Sequence, residues 1–518
     1  MPKRFSLKTR LLSLLLSAAM VLMFLPASAF AADDEQVRVG DTWLGSAMRS
    51  VTCGEGTAAY DPDTKTLTLT NATINHDYNA AIWNTVEGLT IELVGENSIN
   101  SGNQAGILSM QGCGLLTLTG EEGSLNITVA DGHAIYANTG SLLVKDTTVK
   151  VSSDILAVYA DLGIEISGST FESSSTNGNA IWTPGDLKIE NSNVTTSNDN
   201  KNDDGYPAIW SDSDITINGG QLKSTCTGSD ALGAAGTLSI TDCTVENKGG
   251  YTALYSGGEM TLTGGSITAE AEDNAIMSRS AMTITNATVK ATAQHYNALR
   301  ASNVMKIDGG RVEATTVLYD EETYAIHMQP MDDGSNDGRM EIGGGVELYV
   351  KGFSGISVGE EATIADAHIV IDSDDWSIDM PVKFAEGYDI ALALGGDSME
   401  NAEPFDWYSM SLEPFTPNQP GTYRYLELLS GAKHTLRVTN GMISELNGKQ
   451  YGDNVTDIPA GSPVTLALTV NEDAFTAGEV FSSWVLSPTP RDLQIDGNVI
   501  TFTMPAEDVE IRATGDIP

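Results

Sequence analysis

Six aromatic residues each follow directly on an Ala–aliphatic pair: Trp83, Tyr136, Tyr159, Trp182, Trp210 and Tyr255. In extended chain, neighbouring side chains point to opposite faces, so an inward aliphatic residue sends the next side chain outward. If the strands that carry these rings are stacked, they lie about 4.8 Å apart, close to the rise of one sugar in an extended polysaccharide. Each outward ring could then serve as a platform for one sugar. The same spacing lets the rings stack on one another, in which case the column is architecture and binding is confined to interruptions in it. Toward the C-terminal end the column changes character, to Met277, Arg300 and His327. A working face is expected where it changes.

Two further clusters could do chemistry. Asp333-x-Ser335-x-Asp337-Gly338 copies the first half of an EF-hand-like calcium loop, although Gly344 stands where the bidentate Glu belongs. Asp199, Asp203 and Asp204 form a second oxygen-rich group. Solvated acidic turns are the plainer reading of both, and calcium is the one cofactor the sequence suggests. A glycoside hydrolase needs two carboxylates a defined distance apart. Asp and Glu are spread so evenly that the sequence neither supplies nor excludes such a pair. A lyase base would come from the few arginines Arg279, Arg300, Arg311 and Arg339, of which Arg300 lies in the outward column near His295. Neither a His-Glu-x-x-His metal motif nor a phosphate loop is present.

The elements that must position these residues repeat. Asn179-Ala180-Ile181-Trp182, a Pro-Gly turn and Leu187-Lys188-Ile189 reads like Asn274-Ala275-Ile276-Met277, a short turn and Met282-Thr283-Ile284. The aliphatic residue recurs at Ile82, Ile107, Ile135, Val158, Ile181, Ile209, Leu232, Leu254, Ile276, Leu299, Ile326 and Ile356, in steps of 22 to 30 residues. A period of this length with strand-type alternation is a solenoid signal. One unit cannot bury its apolar face alone, so neighbours stack into one core. No helical segment separates the strands, against a leucine-rich repeat, and a propeller blade needs about 40 residues. The expected class is all-β, a right-handed parallel β-helix of roughly a dozen coils. Asn71, Asp146, Asn191, Asn218, Asp242, Gly264, Asn286 and Asp308 follow the Leu-x-Ile strands, and these types tolerate left-handed bends. The longer steps mark inserted loops at 197–206 and 319–339.

The expected organisation is a signal peptide at 1–31, an N-terminal cap at 32–66, the β-helix at 67–372, a C-terminal cap and connector at 373–430, and a second, compact β module at 431–518. The leader reading rests on Lys3, Arg4, Lys8 and Arg10, the apolar run Leu11 to Leu25, and the small-x-small sites Ala27-Ser28-Ala29 and Ala29-Phe30-Ala31. With no Cys after the apolar run, no sorting motif and no later bilayer-length stretch, the chain is expected to be exported and not covalently anchored. The whole sequence carries 27 basic and 70 acidic residues, net −43. That field opposes nucleic acid and anionic membrane as partners. Cys53, Cys113, Cys226 and Cys243 could form two bridges or stay free. Aligning Ile217 with Ile240 puts Cys243 over Gly220, so the repeat does not predict a Cys226–Cys243 bridge.

Two resemblances add expectations. Gly461-Ser462-Pro463-Val464-Thr465-Leu466, Phe481-Ser482-Ser483-Trp484 and Thr501-Phe502-Thr503-Met504-Pro505-Ala506-Glu507-Asp508-Val509 resemble the divergent internalin-type B-repeat of bacterial surface proteins. That resemblance covers nearly 90 residues and implies a small β-grasp-like spacer or adhesion module with Trp484 and Phe502 in its core. Leu89-Thr90-Ile91-Glu92-Leu93-Val94-Gly95-Glu96-Asn97-Ser98-Ile99 with Ala105-Gly106-Ile107 resembles, more loosely, pectate-lyase-like exported β-helices that bind acidic plant polysaccharide with calcium. The chain is therefore expected to be a noncatalytic extracellular carbohydrate-binding or adhesin-type surface protein with a polysaccharide or cell-surface glycan as partner. A polysaccharide lyase or glycoside hydrolase with its site on the solenoid flank is the alternative, and a structural spacer the second.

Overall fold

The structure is a computed structural model that describes residues 36–201, 205–318, 323–328, 338–379, 382–405 and 423–517. The leader reading and Asp333, Ser335 and Asp337 lie outside these residues. No α-helix occurs among them, and no helix long and apolar enough to cross a membrane.

Each repeat folds as one coil with three strands. The Leu-x-Ile strand makes face one, for example Asp186–Glu190. After a bend comes face two, for example Asn193–Asn198. The short strand carrying the Ala–aliphatic pair makes face three, for example Ile209–Ser211. Strands on each face pair in parallel with the coils before and after, as Ile181↔Ile209↔Leu232 on face three and Ile189↔Ile217↔Ile240 on face one. About 13 turns stack this way. Period-2 alternation does the sorting: all twelve recurring aliphatic residues of face three are at most 1% exposed. With matching columns from the other two faces they form one continuous core. Burying each such side chain contributes about 1.5–3 kcal/mol, and only stacking makes that burial possible.

The bend after face one is finer than the sequence suggested. Asn71, Asp146, Asn191, Asp242 and Asn286 do adopt positive φ, between 47° and 50°. Asn218 and Asp308 do not. Gly219 and Gly309, one residue later, take the bend at φ 67° and 73°. Pairing explains the shift, because Asn218 stands over Glu190, which places Gly219 over Asn191. A Cβ on Gly219 would sit 2.5 Å from Asn191 Oδ1, and one on Gly264 2.1 Å from Asp242 Oδ1. An Asx side chain on one coil thus occupies the space that a glycine leaves on the next.

Both ends of the stack are covered by antiparallel strands of the same chain, which removes the open edges that invite pairing with other molecules. Val37–Val39 pairs with Ile82–Asn84, and Gly56–Asp61 with Thr66–Thr70. At the other end, coils continue past 372: Ile378–Asp379 and Val382–Phe384 still pair in parallel. Their rhythm is hidden in the sequence by Trp376 and Pro381, which interrupt the alternation. Ala367–Ser373 is then covered by the first half of Tyr425–Thr439, which pairs on its other side with Tyr388–Gly396.

Tyr425–Thr439 runs on through position 430 without a break. Its second half pairs with Val455–Pro459 and, in parallel, with Val509–Asp516. A second sheet of Gly441–Leu446, Lys449–Asp453, Pro463–Val470, Gln494–Asp496 and Val499–Thr503 completes the module. Trp484 and Phe502 are 3% and 4% exposed in its core. Trp484 Nε1 donates to Asn498 Oδ1 at 3.1 Å. All four cysteines are buried, with Cys243 Sγ 3.5 Å from the Gly220 carbonyl oxygen.

Candidate functional site

Trp83, Tyr136, Tyr159, Trp182, Trp210 and Tyr255 stand in one outward column on face three, but their ring faces are largely covered. Tyr136 and Tyr159 stack at 4.8 Å, and Tyr159 meets Trp182 at 5.0 Å. His133 covers Tyr136 at 4.9 Å. At the N-terminal end the Arg38 guanidinium lies over Trp83 at 5.1 Å, with Trp43 5.9 Å away on the same group. Gly233 interrupts the column, yet Trp210 and Tyr255 approach to 5.9 Å across it. A Cβ at Gly233 would sit 2.5 Å from the Trp210 ring, so the glycine is there to let the rings close. Polar edges are tied down as well: Tyr159 OH donates to Asp161 at 2.9 Å and Trp210 Nε1 to Asp212 at 2.7 Å. Such a column stabilises the flank and presents edges, not platforms, to solvent.

Of the acidic clusters, Asp203 and Asp204 also lie outside the described residues, whereas Asp199 is exposed. No group of three or more His, Cys, Asp or Glu side chains among the described residues is arranged to hold a metal ion. Gly355-Ile356-Ser357-Val358-Gly359 has the letter spacing of a nucleophile elbow. Ser357 ends a solenoid strand stacked on His327, without the strand–turn–helix corner that motif requires.

A different column on the same flank carries open rings. Three residues before the aliphatic position, successive coils hold Tyr206, Ser229, Tyr251, Asp273 and Tyr296. Main-chain bonds stack four of them directly: Tyr251 N to Ser229 O at 3.1 Å, Asp273 N to Tyr251 O at 3.1 Å and Tyr296 N to Asp273 O at 3.2 Å. Tyr206 joins in the same register, since Ile209 pairs with Leu232 and Ala208 N donates to Asp230 O at 3.0 Å. The tyrosines are 45%, 40% and 50% exposed. The position after them turns inward and fixes the bend from which they project. Asn274 and Asn297 are buried there, and Asn297 Nδ2 donates to the Tyr324 carbonyl at 2.6 Å.

Charged groups collect around this row. Arg300 stacks on Met277 and His327 on Arg300. Burial depresses the Arg300 guanidinium, and neighbouring Arg279 adds to the effect. Burial, aided by Arg300, lowers His327 to about 4, so that ring is neutral at neutral pH. The Asp273 carboxyl is pushed up by desolvation, and His295 pulls it back. Asp230 keeps only an edge open to solvent. Crowding by protein atoms raises it to about 7; hydrogen bonding from Thr252 opposes the shift, and Asp273 adds to it. Thr252 N donates to Asp230 Oδ1 at 3.0 Å.

That last shift makes a stability prediction. The folded chain holds a proton on Asp230 that the unfolded chain releases near pH 4, so its contribution is present at low pH and is lost as pH rises toward about 7. The slope is at most about 1.4 kcal/mol per pH unit, reduced by the open edge. His327 acts with the opposite sign between about 6.5 and 4, and remains in the variant as an internal reference. Thermal melts from pH 4 to 8 should show Asp230→Asn gaining relative to the parent as pH rises. A constant difference would remove the shift from the account.

Residues 243–389 match a family described as carbohydrate-binding domain-containing protein. The match covers a little over a quarter of the chain. It includes Tyr251, Asp273, Tyr296, Arg300 and His327 but only Tyr255 of the six stacked aromatics. No curated protein and no solved structure gives a match. The tyrosine row has a signal in the sequence, a fixed offset of three before Ile209, Leu254 and Leu299, but the serine and aspartate on the coils between break it into isolated residues.

Proposed function

We propose that the chain is a noncatalytic, exported polysaccharide-binding protein of adhesin type, which holds a glycan against the face-three flank of the coils within residues 243–389. The observation that carries this reading is the pair of open rings at Tyr251 and Tyr296, on either side of Asp273 and beside Arg300, within the stretch that matches a carbohydrate-binding family. Sugar rings present an apolar C–H face that stacks on an aromatic platform, while their hydroxyls donate hydrogen bonds to a carboxylate and accept them from a guanidinium. Asp273, immediately before the strand Asn274–Ser278, and Arg300, on the strand Leu299–Ala301 stacked upon it, are both partly buried, so little ordering is needed on binding. The aromatic column beside them supports the flank and leaves the row to make the contacts.

The test is glycan retention on affinity gels and titration calorimetry with a panel of soluble polysaccharides. The Tyr251→Ala/Tyr296→Ala double variant should lose about 100-fold in affinity or more, as expected for two anchor rings. Trp182→Ala/Trp210→Ala should melt earlier yet keep its glycan. Retention by the tyrosine double variant, with loss in the tryptophan one, would return binding to the stacked column.

A further inference from the structure

The tyrosine row is longer than the family match, and it skips coils. Tyr206, Tyr251 and Tyr296 occupy every second coil, with Ser229 and Asp273 between them. Adjacent coils are about 4.8 Å apart, so the rings recur about every 9.6 Å along the solenoid axis. All three are substantially open, at 45%, 40% and 50%, whereas Ser229 is 8% exposed and leaves a recess. Asp273 is half-buried and offers an acceptor at the other skipped coil. Tyr206 is as firmly set as the other two, because its carbonyl accepts from Asn198 Nδ2 and from Cys226 Sγ at 3.4 Å.

A periodic row of platforms selects a ligand of the same period. In a flat, equatorially 1,4-linked glycan each sugar is flipped about the chain axis relative to the last. The same C–H face therefore returns at every second sugar, after about two strand spacings. A chain with three sugars per turn presents the same face only at every third sugar and drifts out of step after the first tyrosine. A 1,3-linked chain coils away from the axis. We infer that the Tyr206–Tyr251–Tyr296 row is a register-matched platform for an unbranched, two-fold, β-1,4-linked glycan lying parallel to the solenoid axis over five coils. Sugars one, three and five stack on the rings, and sugars two and four face the Ser229 recess and the Asp273 carboxyl. This rests on the binding reading above and goes further in fixing the ligand's conformation and direction.

The experiment is a calorimetric length series. Cello-oligosaccharides of two to six units are the probe, with xylo-oligosaccharides as the three-fold comparison and β-1,3-linked glucose oligomers as the coiled one. Affinity should step up by about tenfold on reaching three units, when a second ring is engaged, and again on reaching five, with little gained at four or six. Tyr206→Ala should remove only the step at five, and Tyr206→Phe, which keeps the ring, should restore it. The comparison series should show no steps. Smooth growth with every added sugar, equal binding of the three-fold series, or an unchanged step at five in Tyr206→Ala would each overturn the register inference. If the Tyr251→Ala/Tyr296→Ala variant still lost its glycan, the broader binding reading would survive that failure. Absence of binding to any glycan would end both.

Discussion

Phe171→Ala lowers the stability of the solenoid by about 3–5 kcal/mol. Phe171 is fully buried and lies in Thr170–Ser175, directly between Val149 of one coil and Val194 of the next. Removing the ring takes away its transfer free energy and leaves a cavity whose walls belong to three coils. Those walls cannot collapse freely, because every strand around them is tied in register to both neighbours. In a stacked array, stability is close to a sum of unit and nearest-neighbour terms, so a break in mid-stack weakens both sides. Denaturant unfolding followed by circular dichroism should show the lowered midpoint. Phe171→Leu should cost less than half as much. A loss under about 1 kcal/mol for the alanine variant would mean that the coils repack independently.

Leu428→Asp is expected to uncap the stack. Leu428 is 1% exposed and pairs with Ile369 on the last long face-two strand and with Ala393 on the other side. A charge there has no partner and costs several kcal/mol to bury, so the first half of Tyr425–Thr439 should detach. Two consequences follow from its shared role. The C-terminal module loses the strand it shares with the solenoid, and Ala367–Ser373 becomes an open edge strand, which is a template for pairing between molecules. Sedimentation should show concentration-dependent association of Leu428→Asp but not of Leu428→Val. A variant that stayed monomeric and melted like the parent would refute the capping role of this strand.

Much of the fold could be read from the letters because a solenoid is a local object. Each coil repeats the same alternation, and each contact is one period away in sequence, so the inward column from Ile82 to Ile356 could be named without a structure. The N-terminal antiparallel strands follow from the need to cover an edge. Where the reading slipped, the cause was also local. Asn218 and Asp308 are the right residue types for the bend, but pairing puts Gly219 and Gly309 there. The last coils at Ile378–Asp379 and Val382–Phe384 are not legible in the sequence, because Trp376 and Pro381 break its alternation while parallel stacking continues.

The site was less legible. Outward positions carry no burial constraint, so their pattern does not distinguish rings that face solvent from rings that face one another. The sequence determined that an aromatic column would run up face three, and it determined the period of every column on that face. Only the tertiary structure decided that Trp182, Trp210 and their neighbours cover each other, since ring–ring contact depends on rotamers and on the space left at Gly233. Only the tertiary structure decided that the rings at Tyr206, Tyr251 and Tyr296 stay open to solvent while Asp230, Asp273 and Arg300 beside them are partly buried. Side chains 22 to 45 positions apart are neighbours there, because parallel stacking turns sequence period into distance.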